Sequence, residues 1–149
     1  MTKPFLVLLT LLTAAGSAMA QTNCATPFVQ VLRGGDVVTA AGSPLAPSVT
    51  LRLQPHAQCP AGQSYQFKDA ELTLVRGRRP LLPPLRVNQP EVDLSAWMKE
   101  AQPGDRIFVF VPYKSLVVVT PDGKQQPYAQ SEWQDPTKPG IGFNWLLVQ

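Results

Sequence analysis

The chain has 149 residues and a formal net charge of +3, with 13 Lys and Arg against 10 Asp and Glu, one His and two Cys. Its basic residues are scattered, apart from Arg76, Arg78 and Arg79, so no basic face of the kind that binds nucleic acid is expected. One His and two Cys leave too few ligands for a structural zinc site, and no metal or cofactor is expected.

The first 20 residues predict a secretory signal peptide. Lys3 supplies the positive start, Phe5 to Ala15 form an apolar run, and Ala18-Met19-Ala20 is a small-x-small cleavage site. The run is shorter than the roughly 20 residues that cross a bilayer, so cleavage is preferred over an uncleaved anchor. Cleavage leaves residues 21–149 as one domain, with the charge reduced to +2 by loss of Lys3 and no further stretch apolar enough to span a membrane. The product is expected to be exported, either periplasmic or extracellular. Export into an oxidising compartment with an even cysteine count predicts a Cys24–Cys59 disulfide. A lipidated Cys24 is the competing reading, but Gln21-Thr22-Asn23 lacks the small and aliphatic residues that such a signal carries.

Pro27 to Leu32 reads as a strand, Gly34-Gly35 as a hairpin turn, and Val37 to Thr39 as the return. Val49 to Leu53 alternates cleanly, with Val49, Leu51 and Leu53 on one face. Between Ser64 and Val75 the apolar parity switches: Tyr65 and Phe67 share one face, Leu72 and Leu74 the other. The slip predicts a bulge or a break between two strands near Asp69-Ala70. Pro83-Pro84 keeps Leu81 to Val87 out of a central strand.

Asp93 to Ala101 predicts one short helix. Leu94, Trp97, Met98 and Ala101 form its apolar stripe, Asp93 its N-cap, and Pro103-Gly104 its end. Arg106 to Val111 is apolar on both faces and predicts a strand covered on two sides. Leu116 to Val119 and Phe143 to Val148 are further strands, and Ser131 to Gly142 a polar loop. Short strands punctuated by 16 prolines predict an all-β, mainly antiparallel, sandwich-like fold.

No catalytic constellation accompanies this pattern. No Ser lies in a strand-turn-helix elbow, Cys24 is terminal, and the glycines form no phosphate loop. Glu71, Glu91, Asp93, Asp105 and Glu132 leave a carboxylate pair for glycoside chemistry open, but each has a structural explanation: Glu71 is expected on the outer face of a strand, Asp93 at a cap and Asp105 in a turn. A non-enzymatic protein is therefore expected. The candidate interaction surface is Arg76, Arg78 and Arg79 on a turn, with Tyr128 and Trp133 near the polar loop.

Val75-Arg76-Gly77, Glu91-Val92-Asp93-Leu94-Ser95, Pro103-Gly104-Asp105-Arg106-Ile107 and Phe143-Asn144, taken together, resemble the C-terminal periplasmic domain of GldM, the gliding-motility and type IX secretion protein of Bacteroidota. The resemblance covers roughly residues 65–148. It implies a β-sandwich-like module that works by contact with another envelope or secretion-system protein, and it carries no catalytic residues. The family protein also has a transmembrane helix and stalk domains, whereas this chain is expected to carry a signal peptide and one domain, so coupling to a membrane motor is not implied. The competing expectation is a small secreted domain that binds carbohydrate or peptide near Tyr128 and Trp133.

Overall fold

The computed structural model describes residues 26–57, 59, 62–129, 137 and 139–149. The expected signal peptide, Cys24 and Trp133 lie outside the described residues. Among the described residues no helix is long and apolar enough to cross a membrane.

The fold is all-β and mainly antiparallel, with twelve short strands among the described residues: β1 Phe28–Arg33, β2 Asp36–Val37, β3 Ser48–Gln54, β4 Ser64–Phe67, β5 Ala70–Arg76, β6 Arg79–Pro80, β7 Leu85–Val87, β8 Glu91–Asp93, β9 Arg106–Pro112, β10 Leu116–Val119, β11 Gln125–Pro127 and β12 Gly140–Leu146. Three sheets result, ordered β2-β1-β3-β8, β11-β10-β4 and β12-β9-β5-β6, with β7 sharing the β5 edge with β6. The inward sets Val29, Val31, Val49, Leu51 and Leu53 from the first sheet meet Leu72, Leu74, Ile107, Val109, Val111 and Trp145 from the third in one buried core. Period-2 alternation puts these residues inside, which is why the strands are legible in the sequence.

Gly34 and Gly35 both adopt positive φ, +57° and +91°, closing the β1–β2 hairpin as a primed turn requires. The parity switch between Phe67 and Leu72 is a break between two strands. β4 pairs with β10, whereas two residues later β5 pairs with β9. The chain changes sheets there, so its inward face changes parity.

The predicted helix is corrected. Glu91–Asp93 is strand β8, paired to β3 through Ser48↔Asp93, Val49↔Val92 and Thr50↔Glu91. Only Ser95–Trp97 is helical, and it is a 3-10 turn. Sheet pairing takes Asp93, the expected cap, and Leu94 N–H is spent on Pro47 O at 2.7 Å. The helical turn ends at Trp97, well before Pro103. Leu94 and Trp97 are buried as the stripe requires, but Met98 is 45% exposed because a three-residue pitch turns it outward. Asp93 still accepts an orphan amide, from Ser95 N–H at 2.8 Å, although Leu94 occupies the cap position itself.

Two further expectations change. β9 is central in its ladder, between β12 and β5, but only Ile107, Val109 and Val111 are fully covered; Phe108 is 36% exposed on the other face. The last strand begins at Gly140, inside the expected polar loop. Gly140 and Gly142 pair with Pro112 and Phe110, and the Phe110 and Phe108 rings lie over these two glycines. Cross-strand aromatic cover is a known means of rescuing glycine in a strand.

Candidate functional site

The Arg76, Arg78 and Arg79 cluster sits on the β5–β6 hairpin. Arg76 is not a free surface cation: its guanidinium holds the Asp105 carboxylate and also donates to Glu100 O at 2.9 Å. Asp105 is buried at the head of β9, and Arg76 pulls its carboxyl below the usual carboxylate range. Arg78 and Arg79 are exposed.

Tyr128 lies elsewhere. Its ring stacks on Tyr113 at 5.6 Å and 18°, and meets Tyr65 edge-on at 6.3 Å. Burial pushes the Tyr65 phenol up, and Gln63 Nε2 donates to its oxygen at 3.1 Å. Tyr113 follows the C-terminal end of β9, whereas Arg76 is beyond the N-terminal end, since Val75 pairs with Arg106. Seven strand residues separate them, about 20 Å at the usual rise. The structure therefore does not bring the arginine turn and Tyr128 together.

Four of the described carboxylates, Glu71, Asp93, Asp105 and Asp122, have structural partners. Asp93 is held low by Ser95 and Asp122 by Thr120, both through local hydrogen bonds, while Glu71 faces Arg86 across 3.5 Å. Among the described residues no three His, Cys, Asp or Glu side chains converge as metal ligands would.

A concavity runs between β3 and β4. It is a groove of about 490 Å³, walled by Leu51 and Leu53 on one side and Tyr65 and Phe67 on the other, with Pro90 and Asn88 at one end. Its origin is an interrupted ladder. β8 pairs β3 only through Ser48–Thr50, and Leu51 N–H then donates to Pro90 O at 2.8 Å. Pro90 has no N–H to return, so pairing stops there. Alternate residues face the same neighbour, so the N–H and C=O of Leu53 point to the same side as those of Leu51. On the opposite wall, Lys68 N–H donates to Ser115 O at 2.8 Å, continuing the β10 side of the chain. By the same alternation the main chain of Tyr65 and Phe67 faces the groove. Among the described strands β3 pairs only with β1 and β8, and β4 only with β10. The facing edges are thus not laddered to one another.

Strand edges are ordinarily guarded by charge, proline or a covering segment. Ser64–Phe67 carries neither charge nor proline. Arg52 is the one charged residue in the groove wall, and it is held sideways on Gln30 Oε1 at 2.9 and 3.2 Å. Sequence reading missed this groove because its cause is a ladder that ends at a proline 39 positions from the edge it leaves open. The only local signal was Pro90 ahead of a short alternating run.

No protein-family model, curated protein or solved structure matches the chain.

Proposed function

We propose that this protein is an exported, non-enzymatic interaction module of the bacterial cell envelope, which takes an extended segment of another envelope or secretion-system protein along the β3–β4 groove. The observation that carries the reading is the pair of facing, unladdered strand edges over an apolar floor. An extended chain laid on such an edge gains main-chain hydrogen bonds, and its alternate side chains fill the apolar wall. The signal-peptide pattern of residues 1–20 supports an exported, periplasmic or extracellular setting. The resemblance to the GldM C-terminal domain supports a gliding-motility or type IX secretion partner. Arg78 and Arg79 stand at the far end of the fold as a secondary contact.

The test is site-specific photocrosslinking in cells exporting the chain, with the probe at exposed Gln66 in the groove or at exposed Arg78 on the hairpin. A defined adduct from Gln66 that is lost in Phe67→Lys supports the reading. Amide exchange on the isolated complex should then slow at Leu53, Tyr65 and Phe67, whose N–H groups face the groove. An adduct from Arg78 alone, or a complex that leaves those amides unprotected, overturns the groove as the contact.

A further inference from the structure

The outer face of the β12-β9-β5-β7 sheet holds a second cavity, independent of the groove. Cross-strand register sets Arg86 opposite Glu71, Glu71 opposite Phe110, and Phe110 opposite Gly142, a continuous row across four strands. The next row on the same face is Thr73, Phe108 and Asn144. Phe108 and Phe110 stack with centroids 6.1 Å apart and 23° between planes, forming an apolar strip along β9. At the Phe110 end the strip opens into a pocket of about 290 Å³, lined by Asp69, Glu71, Arg86, Phe110, Lys114 and Ser115 among others.

Two features of this pocket point to a ligand. Ser115 is only 4% exposed. Its carbonyl accepts from Lys68 N–H, but among the described residues its hydroxyl has no hydrogen-bond partner. Ser115 is among the residues that line the cavity, and a buried hydroxyl in this state ordinarily takes its partner from water or a ligand beside it. The rim is also electrically balanced, two carboxylates against two cations, with Glu71 and Arg86 3.5 Å apart. A charged side chain of either sign would leave like charges unmatched, whereas a neutral ligand rich in hydroxyls uses donors and acceptors alike.

We infer that this pocket binds a saccharide. The apolar C–H face of the sugar lies on Phe110, and its hydroxyls bond to Glu71, Arg86, Asp69 and Ser115. Small-ligand sites commonly combine an apolar floor with a few convergent polar groups in this way. Phe108, one row along, extends the floor for a second sugar unit.

The test is titration of the purified mature chain with glucose, galactose, mannose, N-acetylglucosamine and their short oligomers at millimolar concentration, followed by amide and aromatic NMR shifts. Shifts confined to Phe108, Phe110, Lys114 and Ser115 are expected. They should be lost in Arg86→Ala, whose side chain is 85% exposed and carries no packing, and in Phe110→Ala. Absence of localised shifts with every sugar, persistence in Arg86→Ala, or larger shifts at these residues from short peptides would each overturn the inference. Phe67→Lys should leave sugar binding intact, so failure here is separable from failure at the groove.

Discussion

The Arg76 guanidinium grips the Asp105 carboxylate with two parallel hydrogen bonds, Nε to Oδ1 at 2.8 Å and Nη2 to Oδ2 at 2.9 Å. This fork joins the end of β5 to the turn that launches β9. The same turn is fixed from within, because Gln102 N–H donates to Asp105 Oδ2 at 2.8 Å. It also clasps the C-terminal segment: Gly104 N–H donates to Leu147 O at 2.8 Å, and Leu147 N–H to Asp105 O at 2.9 Å. One short turn thereby ties three distant pieces of chain together.

The pair predicts an acid-sensitive fold. The Asp105 carboxyl is held low first by its Arg76 hydrogen bonds, against the opposing effect of burial. A depressed carboxyl contributes stability that is present above its unfolded value, near 3.9 for Asp, and is lost as pH falls through the folded value. Asp105→Asn should cost about 1–2 kcal/mol at neutral pH, the lower part of the range for charged hydrogen bonds because Arg76 is partly exposed. Urea denaturation should show the gap between wild type and variant narrowing as pH falls below the Asp range. A gap independent of pH would mean that the carboxylate charge is not what matters.

The two glycines of β12 should respond unequally. A Cβ on Gly140 would collide with the Val111 carbonyl, which is backbone and cannot swing away. A Cβ on Gly142 meets the edge of the Phe108 ring at 2.8 Å, and that ring stands on a partly open face. Gly140→Ala should therefore destabilise by about 2–3 kcal/mol and Gly142→Ala by about 1 kcal/mol or less. Thermal unfolding of the two variants in one buffer checks the order.

Trp145 anchors the sandwich at its β12 edge. It is fully buried, and Nε1 donates to Ser43 Oγ at 3.0 Å. Ser43 in turn bridges to Leu147, with its N–H on Leu146 O at 3.1 Å and its O accepting from Val148 N–H at 3.2 Å. Trp145→Ala should cost about 3–5 kcal/mol and Trp145→Phe distinctly less. Ser43→Ala should cost about 1 kcal/mol or less, because it removes the hydroxyl acceptor but leaves the indole Ser43 O at 3.3 Å. Chemical denaturation followed by far-ultraviolet circular dichroism, which does not depend on the deleted fluorophore, gives all three values.

The cysteines carry a prediction that reaches beyond the described residues. No described cysteine is a free thiol, while the proposed partner Cys24 lies outside that range. Mass spectrometry of the chain recovered from cells that express residues 1–149 should find its N-terminus at Gln21 and a Cys24–Cys59 cross-link. Reduction should lower stability by about 3–4 kcal/mol, the entropy of a loop of this length. Recovery of two alkylatable thiols from the native exported chain would remove the disulfide.

Much of this fold was legible in the residues. Val49, Leu51 and Leu53, and Ile107, Val109 and Val111, announce strands because a two-residue period needs only the chain itself to be read. The parity slip between Phe67 and Leu72 marked the crossing from one sheet to another for the same reason. The helix was misread because Leu94, Trp97 and Ala101 are apolar at helical spacing. Leu94 and Trp97 are buried as that spacing implies, but sheet pairing takes Asp93 and the helical geometry is confined to one 3-10 turn at Ser95–Trp97. Sequence distance likewise joined Arg76 to a recognition surface, whereas the fold joins it to Asp105.

The sequence by itself determined the all-β class, the inward faces and the places where strands must stop, because each follows from local periodicity and from prolines and glycines acting on their own backbone. The candidate sites belong to the tertiary structure alone. The β3–β4 groove exists because Pro90 ends a ladder on a strand far earlier in the chain. The row Arg86, Glu71, Phe110, Gly142 exists because three separate strand registers align. Register is set by the packing of whole faces against a common core, and no window of sequence contains that information.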